Sequence, residues 1–205
     1  MAKIITVSRE FSSGGREVGK RLADALGFEY YDREIIEQVA KESQLDANYV
    51  ENMLSGNFAI SLPVTFGRTF LYTDVIQQNM TNLLVAEQKI IRSLAQSGKD
   101  MVIVGRSADV ILEDYNPLNI FVYADMQSKV ERCRQRAPED EKLTDKELVK
   151  KIKQVDAGRK RQRRIITDKA WGEKENYHLC INTTGMNIKA FVPSLAEFVK
   201  SYFNN

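Results

Sequence analysis

The chain is poor in the residues from which disulfide frameworks, metal centres and membrane anchors are made: its 205 residues include two cysteines and one histidine. Cys133 lies in a charged helical context and Cys180 in a strand-like one, so neither spacing nor neighbours make a disulfide or a metal site. His178 stands beside a strand without ligand partners and reads as structural. No apolar run approaches the roughly 20 residues that span a bilayer. The first residues enter a strand with no leader pattern, so the expectation is a cytoplasmic chain without a membrane partner. There is no internal repeat and no low-complexity tract. Net charge is also scarce, at +2, but it is unevenly placed: residues 131–164 hold thirteen Lys/Arg against seven Asp/Glu, leaving the rest of the chain negative by four. A basic segment of this kind suits the phosphates of a free nucleotide or the backbone of a nucleic acid, or is simply a solvated face.

With 43% hydrophobic and 28% charged residues, the length supports one globular α/β domain, residues 1–205. Its organising stretch is residues 4–22, IITVSREFSSGGREVGKRL. Ile4, Ile5 and Val7 suit a strand buried on both faces, and Ser12, Ser13, Gly14 and Gly15 let backbone N–H groups converge on an anion. Val18, Leu22 and Leu26 then recur at helical spacing up to Gly27, which puts the positive end of a helix at the turn. Against the phosphate-loop pattern G-x-x-x-x-G-K-[ST], Gly14 fits. Arg9 stands at the first glycine, Gly15 at the lysine and Glu17 at the magnesium-binding hydroxyl. By itself the loop is either a nucleotide site or an ordinary Ser/Gly-rich strand-to-helix turn.

Further along, FEYYD is a short strand, and a helix capped by Asp32 carries Ile35, Ile36, Val39 and Ala40 inward. Asp32 and Arg33 thereby stand at the ligand-binding edge of a parallel sheet, unless Asp32 merely pairs with a surface lysine. Residues 48–81 have weak periodicity and read as short helices with a mobile flap, or as an aromatic surface for a homo-oligomer. A helix with Leu83, Ala86, Ile90, Ile91 and Leu94 on one face stops at Gly98. The strand MVIV then delivers GRSAD, with Arg106 and Asp109 as site candidates or as a loop brace. LNIFVYA is a further strand, followed by charged helices on either side of the loop APEDEKLT. The second of them ends in five basic residues within 159–164, with Trp171 packing after it. HLCIN is the last strand, and Phe191, Leu195, Phe198 and Tyr202 mark the core face of the last helix.

Strands alternating with helices, with polar residues at strand C-termini, predict a three-layer doubly wound α/β fold of about five parallel strands. In order, VSREFSSGGREVGKRLA, FEYYDREII, VIVGRSADVIL, NIFVYADMQSKVERCRQR, DAGR and KAWGEKENYHLCINTT resemble the cytidylate-kinase-like family of phosphate-loop nucleoside monophosphate kinases. Residues 5–18 fit the loop of cytidylate kinases without a gap. The resemblance implies a helical flap at about 48–81, a basic lid at about 131–164, and in-line transfer of the ATP γ-phosphoryl group, with Mg²⁺, to a pyrimidine, CMP-like monophosphate. It assigns Arg9, Ser12, Ser13, Gly14, Gly15, Arg16 and Glu17 to ATP, with Glu17 on the metal. Asp32, Arg33, Arg106, Asp109, Arg136 and Asp156 fall to the acceptor, and Arg16, Arg132 and Arg159 to catalysis. Arg16 is the expected stand-in for the loop lysine, with Arg9 as its rival. The partners implied are a small nucleotide and possible further copies of the chain, without nucleic acid. Two other functions stay open: a nucleotide-binding protein without turnover, and a nucleic-acid-binding module using the basic segment.

Overall fold

The computed structural model describes residues 2–54, 69–137 and 143–204. Five strands, β1 (Ile4–Arg9), β2 (Glu29–Tyr31), β3 (Met101–Val104), β4 (Leu118–Tyr123) and β5 (Leu179–Asn182), form one sheet in the order β2-β3-β1-β4-β5 with every pairing parallel. Among the described residues eight α-helices accompany them: α1 (Gly15–Leu26), α2 (Arg33–Ser43), α3 (Ala47–Leu54), α4 (Thr69–Gln96), the single turn α5 (Ala108–Ile111), α6 (Met126–Arg136), α7 (Asp145–Ile166) and α8 (Ile188–Asn204).

Successive strand side chains point to opposite faces, and both faces are covered. Ile4, Met101 and Ile103 pack with α2, α3 and α4 on one side; Ile5, Val7, Val102, Val104, Ile120 and Val122 pack with α1 and α8 on the other. This is the three-layer α/β fold the alternation of strands and helices predicts. Because β1 lies between β3 and β4, the chain reverses its winding around β1, and the C-terminal ends of these strands open onto a common crevice.

Three local expectations change. The fourth helix begins at Thr69 rather than near Leu83, and its first turns include Phe70, Leu71, Tyr72, Val75, Ile76 and Met80. Asp32 does not cap α2 with its side chain; it is buried and paired with arginines instead. In α8 the inward face is Ile188, Val192, Leu195, Ala196 and Val199. Phe198 and Tyr202 are exposed, with Tyr202 stacked edge-on against His178 at 5.7 Å. Residues 55–68, within the expected flap, and residues 138–142, within the loop APEDEKLT, lie outside the described residues.

A capping box starts α7: the Thr144 hydroxyl accepts from the Glu147 N–H and the Glu147 carboxylate accepts from the Thr144 N–H at 2.8 Å. Thr144→Ala removes one half of it and is expected to lower stability by about 1 kcal/mol, as read by chemical denaturation.

Candidate active site

The turn between β1 and α1 is held by parts of the chain far from it. The Phe11 N–H donates to Asp156 on α7 at 2.7 Å, and Glu10 accepts from Lys129 on α6 at 2.8 Å. The Ser13 carbonyl accepts from the hydroxyl of Thr183, just past β5, at 2.6 Å, and from Arg132 at 3.4 Å. Ser12 and Gly14 take left-handed backbone conformations, φ 59° and 84°, so the loop doubles back before α1 begins. Gly14 permits no side chain, since a Cβ there would lie 2.3 Å from Ile188 Cδ1. The result is a fixed concavity beside the unpaired N–H groups of α1, which is the general form of an anion site. A cavity of about 290 Å³ lies over it, with Arg16, Arg132, Arg136, Lys151 and Arg159 in its wall.

Arg9 runs under this loop. A Cβ on Gly15 would meet Arg9 Cβ at 2.4 Å, and a Cβ on Gly105 would meet Arg9 Nη1 at 1.7 Å. Its side chain thus fills the space behind Gly15, and its guanidinium lies against Gly105 at the end of β3, 3.6 Å from Asp32. Two of the departures from the phosphate-loop pattern are therefore linked: a large residue at position 9 occupies the room that a side chain at position 15 would need.

A second cavity, about 300 Å³, adjoins the first and shares Arg9, Phe11, Arg16 and Arg159 with it. The rest of its wall includes Arg106, Gln162 and Trp171, with one acid, Glu51 of α3. Arg106 leaves β3 in a run of three left-handed residues, Gly105, Arg106 and Ser107, with φ of 80°, 60° and 50°, a conformation that costs a non-glycine residue about 1 kcal/mol or more. Burial, then repulsion by Arg159, pulls the Arg9 guanidinium down to about 9, against the opposing pull of Asp32. Burial likewise lowers Arg159 and Arg132. All remain cations at neutral pH. Asp32, ion-paired with both Arg9 and Arg16, and Asp156, 3.1 Å from Arg159, are the carboxylates that offset them. Behind Arg106 stands Glu87 of α4, fully buried, with Oε1 3.7 Å from Arg106 Nε.

A sequence profile of the cytidylate kinase-like family matches residues 4–185, nearly the whole fold. The chain belongs to that family. A comparison with curated proteins gives no match. Among solved structures, an uncharacterized protein from Eubacterium ventriosum superposes with a TM-score of 0.70 at 23% identity, covering 97% of this chain and 99% of that one. Shikimate kinase from Bacteroides thetaiotaomicron gives 0.56 at 14% identity over 97% and 98%. Shikimate kinase from Acinetobacter baumannii, in complex with shikimate, gives 0.53 at 14% over 98% and 95%. The likeness to these structures is one of fold: a phosphate-loop kinase architecture.

Within this kinase-like frame, Arg9, Ser12, Gly14, Gly15, Arg16, Arg106, Arg132, Arg136 and Arg159 come together around the two cavities, with Asp32 and Asp156 bracing them. Ser13 is buried inside the loop, its hydroxyl donating to the Glu10 carbonyl at 2.9 Å. Arg33 stays on the outer face of α2 beside Glu37, at 3.6 Å, and lines neither cavity. Asp109 turns under α5 to a buried pair with Arg163, at 2.7 Å, away from Arg106's cavity. Counted from Gly14, the pattern's hydroxyl position is Arg16. Glu17 is one step on, where Arg21 and Arg136 take its carboxylate at 2.9 and 2.8 Å. The basic run at the end of α7 is divided by helical spacing: Arg159 and Arg163 turn inward, whereas Lys160, Arg161 and Arg164 are exposed. Glu87 and Thr183 escaped the sequence reading. Glu87 has a signal, a carboxylate on the same helical stripe as Leu83, Ile90 and Ile91; Thr183 has only its place at a strand end.

Two measurements check this packing. Gly15→Ala is expected to destabilise the protein by about 1–3 kcal/mol, and Arg9→Gly, which deletes the opposing Cβ, is expected to remove most of that loss in a double-mutant cycle. Burial raises the Glu87 carboxyl from the usual 4.5 to about 7, only partly opposed by Arg106. The folded state therefore binds a proton more tightly than the unfolded chain does. Relative to Glu87→Gln, the wild type is expected to lose roughly 3 kcal/mol of unfolding free energy as pH rises from about 4.5 to about 7, with no further loss above.

Proposed function

We propose that the protein is a nucleotide-dependent phosphotransferase that moves the γ-phosphoryl group of ATP to a nucleoside monophosphate, a pyrimidine of the CMP kind. Its family supplies the substrate class. The observation that carries the assignment is the meeting of two cavities across Arg9, Phe11, Arg16 and Arg159. A polyphosphate lying over the loop and an acceptor phosphate beside Arg106 would bring their reacting oxygens to one cationic wall. In the reaction the bond from the γ-phosphorus to the β-bridging oxygen breaks, and a bond to an acceptor phosphate oxygen forms. The products are ADP and a nucleoside diphosphate.

The loop and its residues Ser12, Gly14 and Gly15 receive the phosphates on backbone N–H groups. Ser13 keeps the loop's shape from within. Arg16 takes the part of the absent lysine, exchanging its partner Asp32 for phosphate oxygens, and Arg132, Arg136 and Arg159 neutralise charge that develops during transfer. Arg9, Arg106 and Asp32 frame the acceptor, with Asp156 holding the loop toward it. α6 and α7 act as the lid. ATP fits this cradle. Protein donors for Mg²⁺ are few, since Glu17 is held by two arginines, so the ion would be carried mainly by the ATP phosphates and water. The phosphate charge is met by the guanidinium groups.

A second assignment, nucleotide binding without turnover, is favoured by one observation: the lysine position is closed by Arg9. A coupled assay for ADP formation over a panel of nucleoside monophosphates separates the two. Turnover is expected with CMP or UMP, and Arg16→Ala is expected to lower kcat/KM by about 10² or more, beyond the effect of Arg9→Ala. ATP binding without ADP formation across the panel would favour the second assignment.

A further inference from the structure

Glu87 has no part in the proposed phosphoryl transfer, yet it occupies an unfavourable place. It lies in the apolar face of α4 between Leu83 and Leu84 on one turn and Ile90 and Ile91 on the next, and none of it is exposed. Neither carboxylate oxygen has a hydrogen-bond partner among the described residues, and Arg106 Nε, 3.7 Å away, has none either. The neighbouring elements present apolar groups to this core: Ile35, Ile36 and Val39 from α2, Val50, Met53 and Leu54 from α3, and Ala108 and Ile111 from α5. Asp109, the acid of α5, is taken by Arg163 at 2.7 Å. The charged group that acts on Glu87 is Arg106.

The pair is directional. Glu87 approaches Nε from the core, whereas Arg106 lines the second cavity. A guanidinium held at Nε keeps both terminal nitrogens, the fork that takes two phosphate oxygens, free for a ligand. Arg106 also sits in a left-handed backbone, φ 60°, which is held by its surroundings rather than by its own preference. A buried acid without hydrogen bonds is costly. Its place behind a strained arginine that faces a cavity is an arrangement for aiming that arginine.

We propose that Glu87 is a positioning residue for phosphate recognition in the second cavity: ionised, it holds Arg106 through Nε with its fork toward the acceptor, and protonated, it releases that hold and weakens acceptor binding. The proposal rests on assigning the second cavity to the acceptor. Since burial places the Glu87 carboxyl at about 7, both forms are populated near neutrality, and affinity falls as pH drops.

The test is calorimetric titration of CMP into wild type and Glu87→Gln at several pH values from about 8 down to about 6. If binding requires the ionised form, the wild-type Kd rises about tenfold over this interval, beyond any change seen in Glu87→Gln. The phosphate's own protonation affects both proteins alike and cancels. At the higher pH the variant binds CMP more weakly than the wild type; at the lower pH the two converge. Parallel pH profiles with equal affinities overturn the proposal while leaving the phosphotransfer assay standing. A wild type that binds no CMP at millimolar concentration overturns both the proposal and the acceptor assignment. Should Glu87→Gln not fold, Arg106→Lys serves instead: it keeps the cation but has no Nε, so loss of the wild-type pH dependence supports the proposal and its retention overturns it.

Discussion

Arg9 lies where the fold has no room for a second large side chain, and much of the site follows from that. Its stem occupies the space behind Gly15, which leaves room there for glycine alone, and its guanidinium lies against Gly105, whose φ of 80° itself favours glycine. Phosphate-loop proteins with glycine at the start of the loop and lysine near its end have the opposite distribution of bulk. Here the cation enters from the strand, beneath the loop, rather than from the helix above it. It reaches the boundary between the two cavities, within range of Asp32, Arg16, Arg106 and Arg159.

Four guanidinium groups collected at one boundary repel one another, and burial together with that repulsion brings Arg9 down to about 9. Asp32 and Asp156 offset only part of it. A polyanion would relieve it further, which is the electrostatic reason to expect phosphates there. The loop is already tied to distant parts of the chain, since Asp156, Thr183, Arg132 and Lys129 hold its backbone and Glu10 from α6, α7 and the end of β5. Charge that is arranged in advance need not reorganise during transfer. Stability is given up for this arrangement in two places, the left-handed run at Arg106 and the unpaired acid behind it.

The α/β class and the sheet were legible in the sequence, since buried parallel strands are short runs such as IITV, MVIV and NIFVY, and α1 and α2 show apolar residues at helical spacing. The turn after β1 was legible for the same local reason: left-handed residues at a strand end, here Ser12 and Gly14, favour Ser and Gly. The inward face of α8 was not, because local periodicity does not say which of two apolar stripes meets the sheet.

Side-chain partnerships were decided by contacts across the chain. Asp32 reads locally as a helix cap, yet it serves Arg9 and Arg16; Asp109 reads with Arg106 as a site residue, yet it pairs with Arg163, 54 positions away. The five basic residues of 159–164 form one cluster in sequence and two groups in space, since a helix turns about 100° per residue and sends Arg159 and Arg163 inward. Local propensity depends on a residue and its near neighbours, and the sequence displays both. Which charge lies beside which depends on how strands far apart in the chain, such as Ile4 beside Met101 and Ile120 beside Leu179, align in the sheet, and that register is settled only when the layers pack.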